Sequence, residues 1–264
     1  MATLAYAPPR EEPASDHRFA ATTAIVMALT VIAGFSTQYL MGRSTFASPL
    51  RVHVHAVVFM GWVAIFVAQS WLATRGPLAL HRKLGWVAVG WMVVMVGAAL
   101  TVMIAILRNG TVPFFFRPQQ FLLANPLSLL GFVALTTAAV VMRKRTDWHS
   151  RLHICGMTLI IGPAFGRLLP MPLLIPYSFE AAGVAASLFP IAGAIRDKRK
   201  LGRVHLAWGI GLAALAFTIV APSLIAPTAF GDWLYQSVVA GSPGAAVPGM
   251  EFAPPPDTPL RTGR

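Results

Sequence analysis

Histidine is the one side chain whose ordinary pKa lies near neutrality, and its neutral form is the commonest metal ligand. His53 and His55 open one long apolar run of this chain, while His81, His149, His153 and His205 stand at the starts of three others. A helix N-terminus carries partial positive charge, which disfavours imidazolium and favours the ligating form. His149 and His153 are four residues apart, hence on one helical face, where two imidazoles can share a metal ion. Gly85 and Gly209 follow His81 and His205 by one helical turn, a spacing that lets a flat macrocycle approach the backbone or simply lets two helices pack closely. Two kinds of cofactor suit these donors: a b-type haem, or a divalent metal ion. For a cofactor the candidate ligands are His81, His149, His153 and His205, with His55 on the other side; for a bare metal they are His81, His149 and His205. Cys155 is the only cysteine, so a disulfide framework, a cysteine-rich zinc ribbon and covalent haem attachment are all excluded.

What must position these residues is a membrane bundle. Of the 264 residues 56% are hydrophobic and 11% charged, against roughly 25% charged in soluble domains. With a mean hydropathy of +0.66, a globule of this size could not hide its apolar surface. The net charge of +12 lies in short clusters between apolar runs, as a bilayer sorts charge, and not along the continuous face that nucleic acid requires. About 20 apolar residues cross the hydrocarbon, and the segments 19–41, 54–74, 84–107, 119–142, 152–170, 173–195 and 204–226 qualify. The expected fold is all-α: a polytopic bundle of seven transmembrane helices occupying 19–227. Residues 1–18 lack the basic segment of a secretory signal and are expected to be disordered and uncleaved. Phe230, Trp233, Leu234 and Val238 fall at helical spacing and predict an interfacial helix over 228–240, followed by a disordered Pro/Gly-rich tail over 241–264.

Lysine and arginine concentrate after the second, fourth and sixth runs, at Arg75, Arg82 and Lys83, at Arg143, Lys144, Arg145 and Arg151, and at Arg196, Lys198, Arg199, Lys200 and Arg203. The positive-inside rule then predicts a cytoplasmic N-terminus and an external C-terminus, with Trp71, Trp86, Trp148 and Trp208 near the inner boundary as an aromatic belt. Glu180 is the only carboxylate within a predicted span, and Arg167 lies across a tight Pro170 to Pro176 turn from it. Intramembrane charges are costly and usually paired, so Arg167 and Glu180 are expected to form an ion pair. His55, Phe59, Trp62, Phe66 and Gln69 alternate at steps of four and three, which places them on one helix face and reads best as an aromatic packing seam. No span interior holds a lysine for a retinal Schiff base, and there is no H-E-x-x-H, phosphate-binding glycine loop or G-x-S-x-G.

The stretches R-V-H-V-H-A (Arg51 to Ala56), F-V-A-Q (Phe66 to Gln69), H-R-K-L-G (His81 to Gly85), H-S-R-L-H (His149 to His153) and G-R-V-H (Gly202 to His205) together resemble a broad group of bacterial seven-span membrane proteins without assigned activity. The resemblance runs from about residue 18 to 235. It implies the seven-span fold and marks His53, His55, His81, His149, His205 and Arg167 as recurring positions. His153 departs from the group, where methionine is usual, as does Ala56, where glycine is frequent. Three functions fit. The first is a redox or metal-binding membrane protein with histidine-ligated b-type haem or metal. The second is a zinc-dependent intramembrane hydrolase, with His81, His149 and His205 on zinc and Asp147 moving protons. The third is a non-catalytic subunit of a membrane complex, or a lipid-headgroup binder using the basic rim. The expected partners are the lipid bilayer and, in the third case, other membrane subunits; the expected location is the bacterial cytoplasmic membrane.

Overall fold

In lipid every backbone N–H and C=O must be satisfied within its own segment, and long apolar runs meet that demand as helices. The computed structural model describes residues 14–255, and within them the chain is helical with no strand. In order the helices are α1 (Ala14–Leu40), α2 (Leu50–Arg75), α3 (Leu78–Arg108), α4 (Pro118–Val141), α5 (Thr146–Ile160), α6 (Gly162–Leu168), α7 (Ser178–Leu201), α8 (Leu206–Ile225) and α9 (Ala229–Val239). Short 3-10 turns cover Met171–Leu174 and Pro243–Ala246. Six helices are long and apolar enough to cross a membrane: α1, α2, α3, α4, α7 and α8. The protein is therefore a multi-pass membrane protein in contact with the bilayer.

The expected fifth span, 152–170, takes another form. Helix α5 begins earlier, at Thr146, and stops at Ile160; Pro163 then sits at the start of the short α6, where its missing N–H costs nothing. Helix α5 is the centre of the bundle, packed against α1, α4, α7 and α8. Arg151, Leu152 and every residue from Ile154 to Leu159 are buried. A helix enclosed on all sides need not present an apolar stripe to lipid, which is how it carries Asp147, His149, Arg151 and His153.

The ends differ from expectation as well. Residues 1–13 and 256–264 lie outside the described residues. Helix α1 starts at Ala14, inside the segment expected to be disordered, because Asp16 is buried against arginines of other helices. The expected interfacial helix is α9: Phe230 and Trp233 are exposed, but Tyr235 and Val239 are buried against Met103, Leu107 and Leu122 of α3 and α4. The described part of the expected disordered tail, 241–255, also folds back on this layer. Tyr235 Oη donates to the carbonyls of Gly244 (3.3 Å) and Val247 (3.0 Å), and the Gln119 amide donates to Gly249 O (2.9 Å). These contacts give the Pro/Gly-rich segment the backbone partners its composition alone would not.

Close approach of helices relies on missing side chains, as is usual in membranes. A Cβ on Gly211 of α8 would collide with the side chain of Cys155 on α5. Overpacking of a filled core costs about 1–3 kcal/mol. Gly211→Ala is therefore expected to lower the thermal unfolding midpoint of the detergent-purified protein. In a Cys155→Gly background the same substitution should cost much less; equal losses in both backgrounds would show that this contact does not limit the packing of α5 on α8.

Candidate functional site

Adjacent helices run in opposite directions, so the N-termini of α3, α5 and α8 meet the C-termini of α2, α4 and α7 at one end of the bundle. Most of the lysines and arginines flank these termini, and we call it the basic end. His81 lies in the first turn of α3 after Pro77, while His149 and His153 lie one turn apart on α5. Their rings converge. The centroids of His81 and His149 are 6.2 Å apart, and those of His149 and His153 are 4.6 Å apart, both edge to face.

The hydrogen bonds define the protonation of the middle ring. His149 Nδ1 lies 2.8 Å from the Ala139 carbonyl of α4. A carbonyl can only accept, so Nδ1 carries the proton and the lone pair of the neutral ring sits on Nε2. Metal-ligating histidines commonly hold their other nitrogen on a carbonyl in this way. His81 Nδ1 is buried with no partner, as is the side-chain oxygen of Gln69, which approaches from α2. A Cβ on Gly85 would lie 3.2 Å from Gln69 Nε2, so the space beside Gly85 is occupied by the Gln69 amide. No macrocycle slot exists there; the glycine makes room for Gln69.

His205 does not join the cluster, which corrects the expected His81, His149 and His205 set. It caps α8: its Nδ1 accepts from the Ala207 amide (3.2 Å), and its Nε2 donates to Asp147 Oδ2 (3.2 Å). Both ring nitrogens are thus committed, and the ring packs edge-on against Trp148 with centroids 5.0 Å apart. Burial pulls the His205 pKa below the usual imidazole value, opposed by the hydrogen bond it donates to Asp147. The third imidazole of the cluster is instead His153. Among the described residues no group of three or more His, Cys, Asp and Glu is placed to hold a metal ion.

The chain matches no family model. No curated protein and no solved structure matches it either. The site is therefore described from its own geometry.

The opposite end corrects the second expected pairing. Arg167 and Glu180 do not meet. Arg167 Nη1 donates to the Pro163 carbonyl (2.8 Å), and its guanidinium carbon lies 4.1 Å from the centre of the Phe35 ring on α1. Glu180 Oε1 instead accepts from Gln120 Nε2 of α4 (3.1 Å) and from Ser223 Oγ of α8 (3.1 Å). The reason is the length of the connection. Helix α7 starts at Ser178 and not at 173, so Glu180 falls in its first turn, where the helix dipole favours a carboxylate. His55 stacks on Phe59 with centroids 4.3 Å apart, and His53 Nε2 lies 3.1 Å from the Phe46 carbonyl. Trp62 and Phe66 are buried, and Trp62 packs edge-on against Phe132 at 5.0 Å, so the α2 seam is core as expected.

One buried cluster escaped sequence reasoning. At the basic end Arg151 of α5 grips Asp197 of α7 with two parallel bonds, Nε to Oδ2 (2.8 Å) and Nη2 to Oδ1 (2.9 Å). Arg151 Nη2 also reaches Asp16 Oδ2 of α1 (3.3 Å), and Arg196 bridges Asp16 and Asp197. Trp208 Nε1 of α8 completes Asp197 (2.8 Å). Arg151 and Arg196 had counted as loop charges because each adjoins a basic run. Their one distinguishing signal was Asp197 beside Arg196, an acid inside an otherwise basic run. Removing one partner of a buried pair costs about 3–5 kcal/mol, because it strands the other charge. Asp197→Asn should destabilise the protein by that order in thermal unfolding. The double change Arg151→Met with Asp197→Leu leaves Asp16 and Arg196 to each other and should recover much of the loss. Additive losses would show that the two residues do not act as a pair.

Proposed function

We propose that this chain is a seven-span protein of the bacterial cytoplasmic membrane that binds a divalent transition-metal ion at its cytoplasmic end through His81, His149 and His153. The observation that carries this reading is the convergence of three imidazoles, the middle one with Nδ1 on the Ala139 carbonyl and Nε2 left as a lone-pair donor. Imidazole sets of this kind suit zinc, copper, iron or nickel. The rings close on the ion to bond lengths of ~2.0–2.1 Å, as zinc requires. A bare ion is favoured over haem because Gln69 fills the space beside Gly85 and His205 has no free nitrogen. Hydrolysis is disfavoured because Asp147, the one carboxylate expected to move protons, is engaged with His205.

The topology within this proposal counts α5 and α6 together as the seventh crossing. Thr146 to Leu168 runs 23 residues, or about 34 Å at ~1.5 Å per residue, enough for the hydrocarbon core. Arg82 and Lys83, Arg143 to Arg145, and Lys198 to Arg203 then each follow an even number of crossings and fall on the same side as the N-terminus. Burial of Arg151 and Arg196 in ion pairs removes two charges from that count without changing its sign.

Two measurements test the proposal. Titration of the metal-free, detergent-purified protein with Zn²⁺ by calorimetry should give one site per chain. His149→Ala and His153→Ala should each weaken it at least about tenfold, since even outer-shell changes cost ~10–100-fold. His205→Ala should leave the affinity within a few-fold of the parent. Binding unaffected by His149→Ala, or no binding, would overturn the metal site. For topology, a reporter fused after Arg199 should be active only in the cytoplasm and one fused after Ala245 only outside; the reverse would invert the assignment of sides.

A further inference from the structure

Among the described residues Arg167 has no acid partner. Its side chain lies at the end of the bundle opposite the histidine cluster, one residue before the end of α6. A guanidinium has five N–H donors. Here Nη1 is bonded to a neutral carbonyl, Pro163 O, and Nε is buried with no partner. The ion pairs among the described residues involve Asp16, Asp147 and Asp197, all at the basic end, and none of them reaches Arg167. Glu180, the acid nearest in sequence, is turned to Gln120 and Ser223. Yet the residue is held in place: the buried Gln38 of α1 donates from Nε2 to the Arg167 carbonyl at 2.9 Å, which ties α6 to α1 at this level.

The orientation of the guanidinium is informative. Its Cζ lies over the Phe35 ring, 4.1 Å from the centroid. A guanidinium held by an aromatic ring still has N–H groups for another partner, and two of them match a pair of oxygens on phosphate. A second polar side chain stands nearby on α2. His55 is stacked on Phe59, its Nδ1 has no partner, and it is close enough to Arg167 to feel that charge. His55 is five residues into α2, or about 8 Å from the helix start. That places it near one end of a helix long and apolar enough to cross a membrane.

We propose that Arg167 and His55 form a phosphate-binding site between α1, α2 and α6, occupied by the phosphodiester of a bilayer lipid. Arg167 supplies charge and paired N–H groups, His55 lines the site, and Phe35 carries the guanidinium. Free phosphate offers the same oxygens, so the experiment separates the two sources. The site is distinct from the histidine cluster and does not depend on it.

The test uses the full chain purified in a maltoside detergent and stripped of lipid. Phosphatidylglycerol and inorganic phosphate are titrated separately at matched ionic strength, with chloride as the control anion. Retained lipid is read by native mass spectrometry and protection by the thermal midpoint. Phosphatidylglycerol should bind the parent protein at one strong site. Loss of a charge-assisted bond should weaken that site about tenfold in Arg167→Gln. Arg167→Lys keeps the charge but not the fork, and should fall between the two. His55→Asn should weaken binding by a few-fold, while His149→Ala should not change it. Unaltered helical circular dichroism establishes that each variant is folded, and Arg167→Lys carries the test if Arg167→Gln is not. Protection by inorganic phosphate alone that also disappears in Arg167→Gln would keep the phosphate site and replace the lipid by the free ion. Equal binding of both probes to the parent and to Arg167→Lys and Arg167→Gln would overturn the site, as would no binding to the parent beyond chloride.

Discussion

A guanidinium carried into a membrane bundle must bring its counter-charge with it, and Arg151 imposes that condition on this fold. The two bonds to Asp197 and the contact to Asp16 hold α5, α7 and α1 at one level, while Trp208 adds α8 to the same carboxylate. Among the described residues two carboxylates and two guanidiniums, Asp16, Asp197, Arg151 and Arg196, match one another in charge. In a low-dielectric interior that matching is what makes burial tolerable, and the bidentate geometry confers direction as well as attraction. Four helices that could otherwise slide or rotate on apolar surfaces are thereby held in register.

The rotation of α5 follows from this grip, and the histidine cluster follows from the rotation. At ~3.6 residues per turn, positions two apart differ by about 200° around a helix. Arg151 facing α7 and α1 therefore turns His149 and His153 to the other side, toward α4 and α3, where Ala139 and His81 wait. Ion cluster and imidazole cluster are two faces of one enclosed helix. The same enclosure explains how α5 carries Asp147, His149, Arg151 and His153 through the bundle, and it is completed by the separate, proline-initiated α6.

The two ends of the molecule handle polarity differently. At the basic end the buried charges are paired with one another, and His205 is doubly bonded between its own helix and Asp147. At the other end, polar groups are satisfied mostly by amides, hydroxyls and carbonyls: Gln120 and Ser223 on Glu180, Gln119 on Asp232, and Gln38 on the Arg167 backbone. Helix α9 and the segment after it close over α3 and α4 there, with Tyr235 bonded to the carbonyls of Gly244 and Val247. Arg167 is the exception in this region, oriented by an aromatic ring and a neutral carbonyl instead of an acid.

The helical, membrane-embedded nature of the chain was legible in the sequence, because hydrocarbon leaves few alternatives to a long apolar helix and the cost of exposed backbone is paid residue by residue. The α2 seam was legible for a similar reason: the spacing of Phe59, Trp62 and Phe66 along one helix fixes their shared face before any neighbour is present. So was the pairing of His149 with His153, which depends only on a separation of one turn. What composition and spacing could not supply was which helices stand side by side and how each is turned. Arg151 and Arg196 read as loop charges until Asp16, more than a hundred residues distant from either, came within bonding distance. Glu180 and Arg167 were close in sequence yet separated by the course of the chain between α6 and α7, which sends one to α4 and α8 and the other to α1. His205 shared a level with the other histidines but found Asp147 first. Local periodicity is a property of the chain, whereas the partner of a buried charge is decided only when separate helices pack and the lowest-cost pairing among all of them is taken.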